Sequence, residues 1–178
     1  MDKRIIHPVK SGFFIALAGT LLMLSLLAIN YVGPESVRND QFMVGGTILF
    51  ISLYVFLLIG IYRSIAFIKR LKDDNLNFKT AFLTGLVVSL SAALFSVVFT
   101  IIFYELMYSD YNADMTEVLT DKLSKQNLST TELKSKIEEQ TKYYSTAMQA
   151  QFAFVGNLIT GLAFSLVLSL FLKSKKQQ

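Results

Sequence analysis

Side chains able to do chemistry are few in this chain and far apart. Glu105 ends an otherwise uncharged apolar run, in TIIFYELMYSDY at residues 100–111. Inside a membrane such a carboxylate would carry protons or ions; at the water boundary it would be a solvated surface group. Asn157 is the one amide in the last apolar run. It fits a substrate contact, but its ordinary use is a bond between helices, worth on average about 0.6 kcal/mol. His7, next to Pro8, is the only histidine, and there is no cysteine. Metal sites need several such ligands, so His7 reads as a surface group, and thiolate, disulfide and Cys-ligated metal chemistry are excluded. With no nucleophile beside a base and no ligand cluster, the chain reads as a non-enzyme with no cofactor and no metal.

The elements that must position these residues are membrane spans. The 178 residues are 53% hydrophobic and 17% charged, well below the roughly 25% charge of soluble proteins. Four uncharged stretches reach the roughly 20 residues needed to cross about 30 Å of hydrocarbon, at 11–32, 41–62, 80–104 and 152–172. The first is too long for a secretory signal and has no small-residue cleavage site, so it reads as a retained span. The net charge of +4 looks like a nucleic-acid signal only until the basic residues are located, because they flank the spans. Lys3, Arg4 and Lys10 precede span 1. Arg63, Lys69, Arg70, Lys72 and Lys79 separate spans 2 and 3, and Lys173, Lys175 and Lys176 follow span 4. By the positive-inside rule these segments and both termini are cytoplasmic. The expected fold class is all-α, a polytopic membrane protein of four transmembrane helices, N-in and C-in, forming one domain over 1–178.

Residues 110–149, on the opposite side, are too polar for the bilayer yet keep helical periodicity. Met115, Val118, Leu119 and Leu123 form one apolar stripe; Leu133, Ile137, Tyr144 and Met148 form another. Between them LSTTEL supplies a capping box, with Ser129 and Glu132 as its two partners and Leu128 and Leu133 as its staple, so a helix should begin at Thr130. No Gly or Pro follows until after Val155, which predicts an uninterrupted rod of roughly 64 Å from Thr130 to Leu172. The two stripes should pair in an extracytoplasmic antiparallel hairpin that projects outward. Asn127-Leu128-Ser129 matches a glycosylation acceptor but coincides with the cap, and such triplets are common.

Within lipid, helices associate through small residues and polar contacts. Span 3 carries Gly85, Ser89, Ala92, Ala93, Ser96 and Thr100 on one face; span 4 carries Ala153, Asn157, Gly161, Ser165 and Ser169. Run antiparallel, these lines predict Ser169 near Gly85, Ser165 near Ser89, Gly161 near Ala93, and Asn157 bonded to Ser96 or Thr100. Gly12, Ala16 and Gly19 of span 1 and Gly45 and Gly46 of span 2 read as further packing positions. Helical phase puts Glu105 opposite the span 4 contact, on the side of Val87, Leu94, Val98 and Ile101, at the outer interface among Tyr104, Tyr108 and Tyr111. Lys69, Arg70 and Lys72 are candidate contacts for anionic lipid headgroups, although topology explains them equally well. Asp73, Asp74 and Asn75 read as a turn, lacking the spaced acids of a calcium loop.

Four spans, a basic loop leading into LNFKTAFLTGL, and FYELMYSDYNADMTEVLTDKLSKQNLSTTELKSKIEEQ before span 4 together resemble the bacterial membrane proteins of domain-of-unknown-function family 4199. The likeness covers nearly the whole chain and is clearest from Gly60 to Leu172. Asp73, Asp74 and Asn75 stand where many members carry glycines, and no proline follows Pro34. The resemblance implies a small inner-membrane protein of a two-membrane bacterium and no particular activity. An accessory or scaffold subunit of a larger membrane complex is the expected function, with the bilayer and a membrane protein or a second copy as partners and no nucleic acid. The alternative is a small transporter or lipid flippase acting as an oligomer; four-span proton-coupled exporters depend on a first-span glutamate, which this chain lacks.

Overall fold

A computed structural model of the chain describes residues 3–126 and 128–174. Four helices are long and apolar enough to cross a membrane. They are α1 (Lys3–Ala28), α3 (Phe42–Arg70), α4 (Phe78–Ile101, continued by a π turn over Ile102–Met107) and α7 (Thr146–Leu172). Three shorter helices gather at one end of the bundle: α2 (Pro34–Arg38), α5 (Tyr111–Ser124) and α6 (Thr130–Thr141). The chain is thus all-helical and four-spanned among its described residues.

Helix α4 is the hub, packing on α7 most extensively and also on α1 and α3. The reason lies in its small residues: Ala81, Val88, Ser89, Ala92 and Ala93 are all fully covered. A Cβ on Gly85 would meet the side chain of Ser165, and one on Gly161 would meet Ser89, so each helix inserts a serine against a glycine of the other. The expected register had Gly161 opposite Ala93 and Ser169 opposite Gly85; the observed one is displaced by a turn. Serine opposite glycine fills space that two facing rows of small residues would leave empty. Each serine hydroxyl donates within its own helix, Ser89 to the Gly85 carbonyl at 2.8 Å and Ser165 to the Gly161 carbonyl at 2.6 Å. No polar group is stranded at the contact. On the other side of α4, a Cβ on Gly12 of α1 would lie 2.7 Å from the Ala92 backbone nitrogen. Ser64 of α3 donates to Ser11 of α1 at 2.8 Å.

Two span boundaries differ from the sequence reading. Helix α3 continues past Tyr62 to Arg70 because Ile61, Ile65 and Ile68 prolong its buried stripe, so Arg63, Lys69 and Arg70 lie on the helix and not in a loop. Helix α1 begins at Lys3 and takes in both His7 and Pro8. His7 is therefore half-buried on the helix: its ring stacks on Phe67, centroids 4.0 Å apart at 10°, with Nδ1 covered. The Asp73–Asp74 turn does form, with φ of 49° and 62°. Asn77 then caps α4, its side chain accepting from the Thr80 amide at 2.8 Å. Ser174 straps the turn to the end of α7, giving its amide to the Leu76 carbonyl and taking the Leu76 amide on its hydroxyl, both at 2.8 Å.

The opposite end is closed by aromatic packing. Phe103, Tyr104 and Tyr111 are buried with Val37 of α2 and Met115 and Val118 of α5. The stripe of α5 is thus spent on the bundle end and α2, not on α6 alone. Helix α6 starts at Thr130 with the full capping box: the Glu132 amide donates to Ser129 Oγ, and the Ser129 amide donates to the Glu132 carboxylate at 3.0 Å. Helices α5 and α6 pack on each other, as the expected pairing has it, and α5 is in addition seated on the bundle end, so the two form a cap with α6 as its outer arm. The long rod is absent. A 3-10 turn over Lys142–Tyr144 ends α6, and Ser145, extended at ψ 143°, caps α7 by accepting from the Met148 amide. A serine that offers the backbone an N-cap competes with helix continuation, and neither Gly nor Pro is required. Asn127, the proposed glycosylation acceptor, lies outside the described residues, as do Lys175 and Lys176.

Candidate functional site: a crevice between the spans

Helices α3 and α7 run parallel and meet where the Tyr54 and Phe164 rings lie 6.4 Å apart, edge to face. Eight residues earlier on each helix, about 12 Å along the axis, stand Gly46 and Gly156. Neither has any atom within 4 Å of where a Cβ would be. Gly46 was expected to pack as Gly45 does; only Gly45 is pressed against a neighbour, the backbone of Tyr31. The helices part at this level and leave a crevice of about 610 Å³ to which all four spans contribute. Its walls are mainly apolar, with Met23 from α1, Phe50 and Leu53 from α3, Phe99 from α4 and Phe152 from α7. No charged side chain lines it. Its volume and lining are those of ligand pockets, which are mostly apolar with a few placed polar groups.

Those polar groups include Asn157. Its Nδ2 donates to Ser96 Oγ at 3.2 Å and to the Ala153 carbonyl at 2.8 Å, so the bond expected between spans 3 and 4 is present, and it forms part of the crevice wall. Thr100 and Tyr54 also face the space. Among the described residues neither hydroxyl has a hydrogen-bond partner. Sequence reasoning placed Ser96, Thr100 and Asn157 in a packing seam and missed the crevice entirely. Its one available signal was the pair of unpartnered glycines, which look like packing glycines when read along a sequence.

Glu105 lies elsewhere. It is exposed on the π turn, on the same outward face as Leu94, Val98 and Ile101. The crevice does not include it. The π turn, closed by the Tyr108 amide on the Phe103 carbonyl at 2.8 Å, buries Phe103 and Tyr104 and turns Glu105, Leu106 and Met107 outward. Nearby, the Tyr108 hydroxyl donates to Asp114 at 2.7 Å. Burial, then that carboxylate, push Tyr108 up to about 12. At the far end Lys69 and Arg70 close α3, while Lys72 reaches Thr80 at 3.4 Å. The three basic residues stand within one turn of each other, with Arg70 exposed and the others half-buried.

No curated protein and no solved structure is significantly similar to this chain. Residues 10–174 match the model of a protein family of unknown function, DUF4199. The match spans the four long helices and the cap between the last two, so the chain belongs to that family.

Proposed function

We propose that the protein is a non-enzymatic accessory or scaffold subunit of a larger complex in the bacterial inner membrane, with both termini in the cytoplasm and the cap outside. The observation that carries this reading is how the cap divides its surfaces. Met115, Val118, Leu119 and Leu123 of α5 are buried, which spends the adhesive face on the protein itself. Helix α6 has no buried residue and turns Lys134, Lys136, Glu138 and Glu139 outward. A charged helix tied to a membrane bundle through α5 and the turn before α7 is suited to recognising a protein, since complementary charge sets specificity and encounter rate. The orientation is supported by the basic residues at the other end of the bundle. Proton-coupled transport has less support, because the one carboxylate near the hydrocarbon is exposed and lines no cavity.

The test is affinity purification of the tagged full-length chain from its native membrane in mild detergent, with stoichiometry by mass spectrometry. One polytopic partner near equal stoichiometry, lost in the Lys134→Glu, Lys136→Glu double variant, is the expected result. Recovery of the chain alone as a defined oligomer overturns it. Glu105→Gln should leave partner recovery unchanged.

A further inference from the structure

We propose that the crevice between α3 and α7 is a binding site for one acyl chain of a diacyl phospholipid. The proposal rests on the four membrane-spanning helices and not on the docking role of the cap. Three observations converge on a lipid chain. First, the crevice opens sideways at Gly46 and Gly156, where no side chain closes it, on helices whose outward residues outside the crevice (Ile51, Ile159) are exposed and apolar. Whatever enters from that side enters from hydrocarbon. Second, its interior carries no charge, so the enclosed part of the occupant is uncharged.

Third, the crevice leaves a polar group for its occupant to answer. The Thr100 hydroxyl faces the space without a partner among the described residues; a lipid ester carbonyl can accept from it, whereas a neighbouring helix has its carbonyls taken up by its own backbone bonds.

The Thr100 hydroxyl orients the lipid. An unsatisfied polar group facing hydrocarbon costs free energy, so Thr100 favours an occupant with an acceptor at its own depth. Helix α4 with its π turn, Phe78–Met107, is 30 residues long, about 45 Å, and overruns a 30 Å hydrocarbon layer by roughly 7 Å at each end. Thr100, about 10 Å from Met107 along the axis, then lies within about 3 Å of the hydrocarbon boundary, where the ester carbonyls of a phospholipid sit. Its hydroxyl can donate to such a carbonyl while the chain runs inward past Leu53 and Asn157 to the ring of Tyr54. That places the bound lipid in the leaflet at the cap end.

The experiment uses full-length protein reconstituted in vesicles of phosphatidylethanolamine and phosphatidylglycerol, with a phosphatidylethanolamine probe carrying a photoreactive diazirine on one acyl chain. After irradiation, adducts are mapped by mass spectrometry. Adducts should concentrate on Phe50, Leu53 and Phe152 over the outward Phe171. Gly156→Leu, which fills the space without meeting backbone, should lower them about fivefold and leave those at Phe171 unchanged. Gly46→Leu is the second filling variant if the first fails to fold, and Thr100→Val tests the ester contact at constant shape. Adducts spread evenly over the lipid-facing surface, or unaffected by either filling variant, overturn the proposal. So does a disulfide-linked dimer of Gly156→Cys in native membranes, which in a chain without other cysteines would show that a second copy occupies the crevice.

Discussion

Single residues at the two ends of the bundle carry the sharpest local tests. Asp73 and Asp74 both hold positive φ, a conformation that costs an L-residue roughly 1–2 kcal/mol and a glycine almost nothing. Asp74→Gly should therefore raise stability by about 1 kcal/mol, read from the midpoint of denaturant unfolding in detergent; a loss would show that the carboxylate has a role beyond the turn. The turn was legible in the sequence as a cluster of Asp and Asn, although its strap to Ser174 was not, because a contact between residues 76 and 174 leaves no local pattern. Tyr108 offers a pH test. Its phenol is raised to about 12 in the folded protein, against about 10 when unfolded. Its contribution to stability is therefore complete below pH 10 and disappears as pH rises through 12. Phenolate absorbance during an alkaline titration should show that Tyr108→Phe leaves the number of tyrosines ionising near pH 10 unchanged and removes one from the phase near pH 12, and the cap should loosen only above pH 10.

At the scale of the element, the departures from expectation are interruptions of helices. The π turn at Ile102–Met107 and the break at Ser145 both fall in segments without Gly or Pro, where periodicity alone reads straight through. Each is explained by what it buries. The π turn brings Phe103 and Tyr104 together into the aromatic closure, and the break at Ser145 lets α6 leave the axis of α7 and reach α5. Ser145→Ala removes the N-cap and should cost about 1 kcal/mol. Hydrogen exchange checks it: the amides of Thr146 to Met148 should exchange about fivefold faster, whereas protection unchanged or increased would mean that α6 and α7 had fused into the continuous rod. The capping box at Ser129 was readable beforehand because its signal lies within four residues, and the helix begins at Thr130 where that signal places it.

Over the whole molecule, glycines divide into two kinds that the sequence does not distinguish. Gly85 and Gly161 hold the α4–α7 contact, and a methyl group on either would collide with a serine. Gly161→Ala should cost roughly 1–3 kcal/mol as an overpacked contact, while Gly156→Ala, with open space around it, should be nearly neutral on the same unfolding curve. Equal effects of the two substitutions would remove the distinction between a packed seam and an open crevice. The arrangement as a whole, with α4 touching three helices and α3 parting from α7 toward the cap, makes the crevice a property of the bundle and of no single element.

The sequence by itself determined the four spans, their apolar character, the small-residue faces of α4 and α7, an Asn157 bond across to Ser96 or Thr100, and the start of α6. These follow from residue type and spacing within a helix or its cap, so local pattern suffices. Only the tertiary structure decided the register of the central seam and Ser96 as the Asn157 partner, the extension of α3, the stacking of His7 on Phe67, the seating of α5 on the bundle end, and the crevice at Gly46 and Gly156. Each depends on how far two helices stand apart at a given depth. That separation is set by every side chain between them at once, which no single helical pattern records.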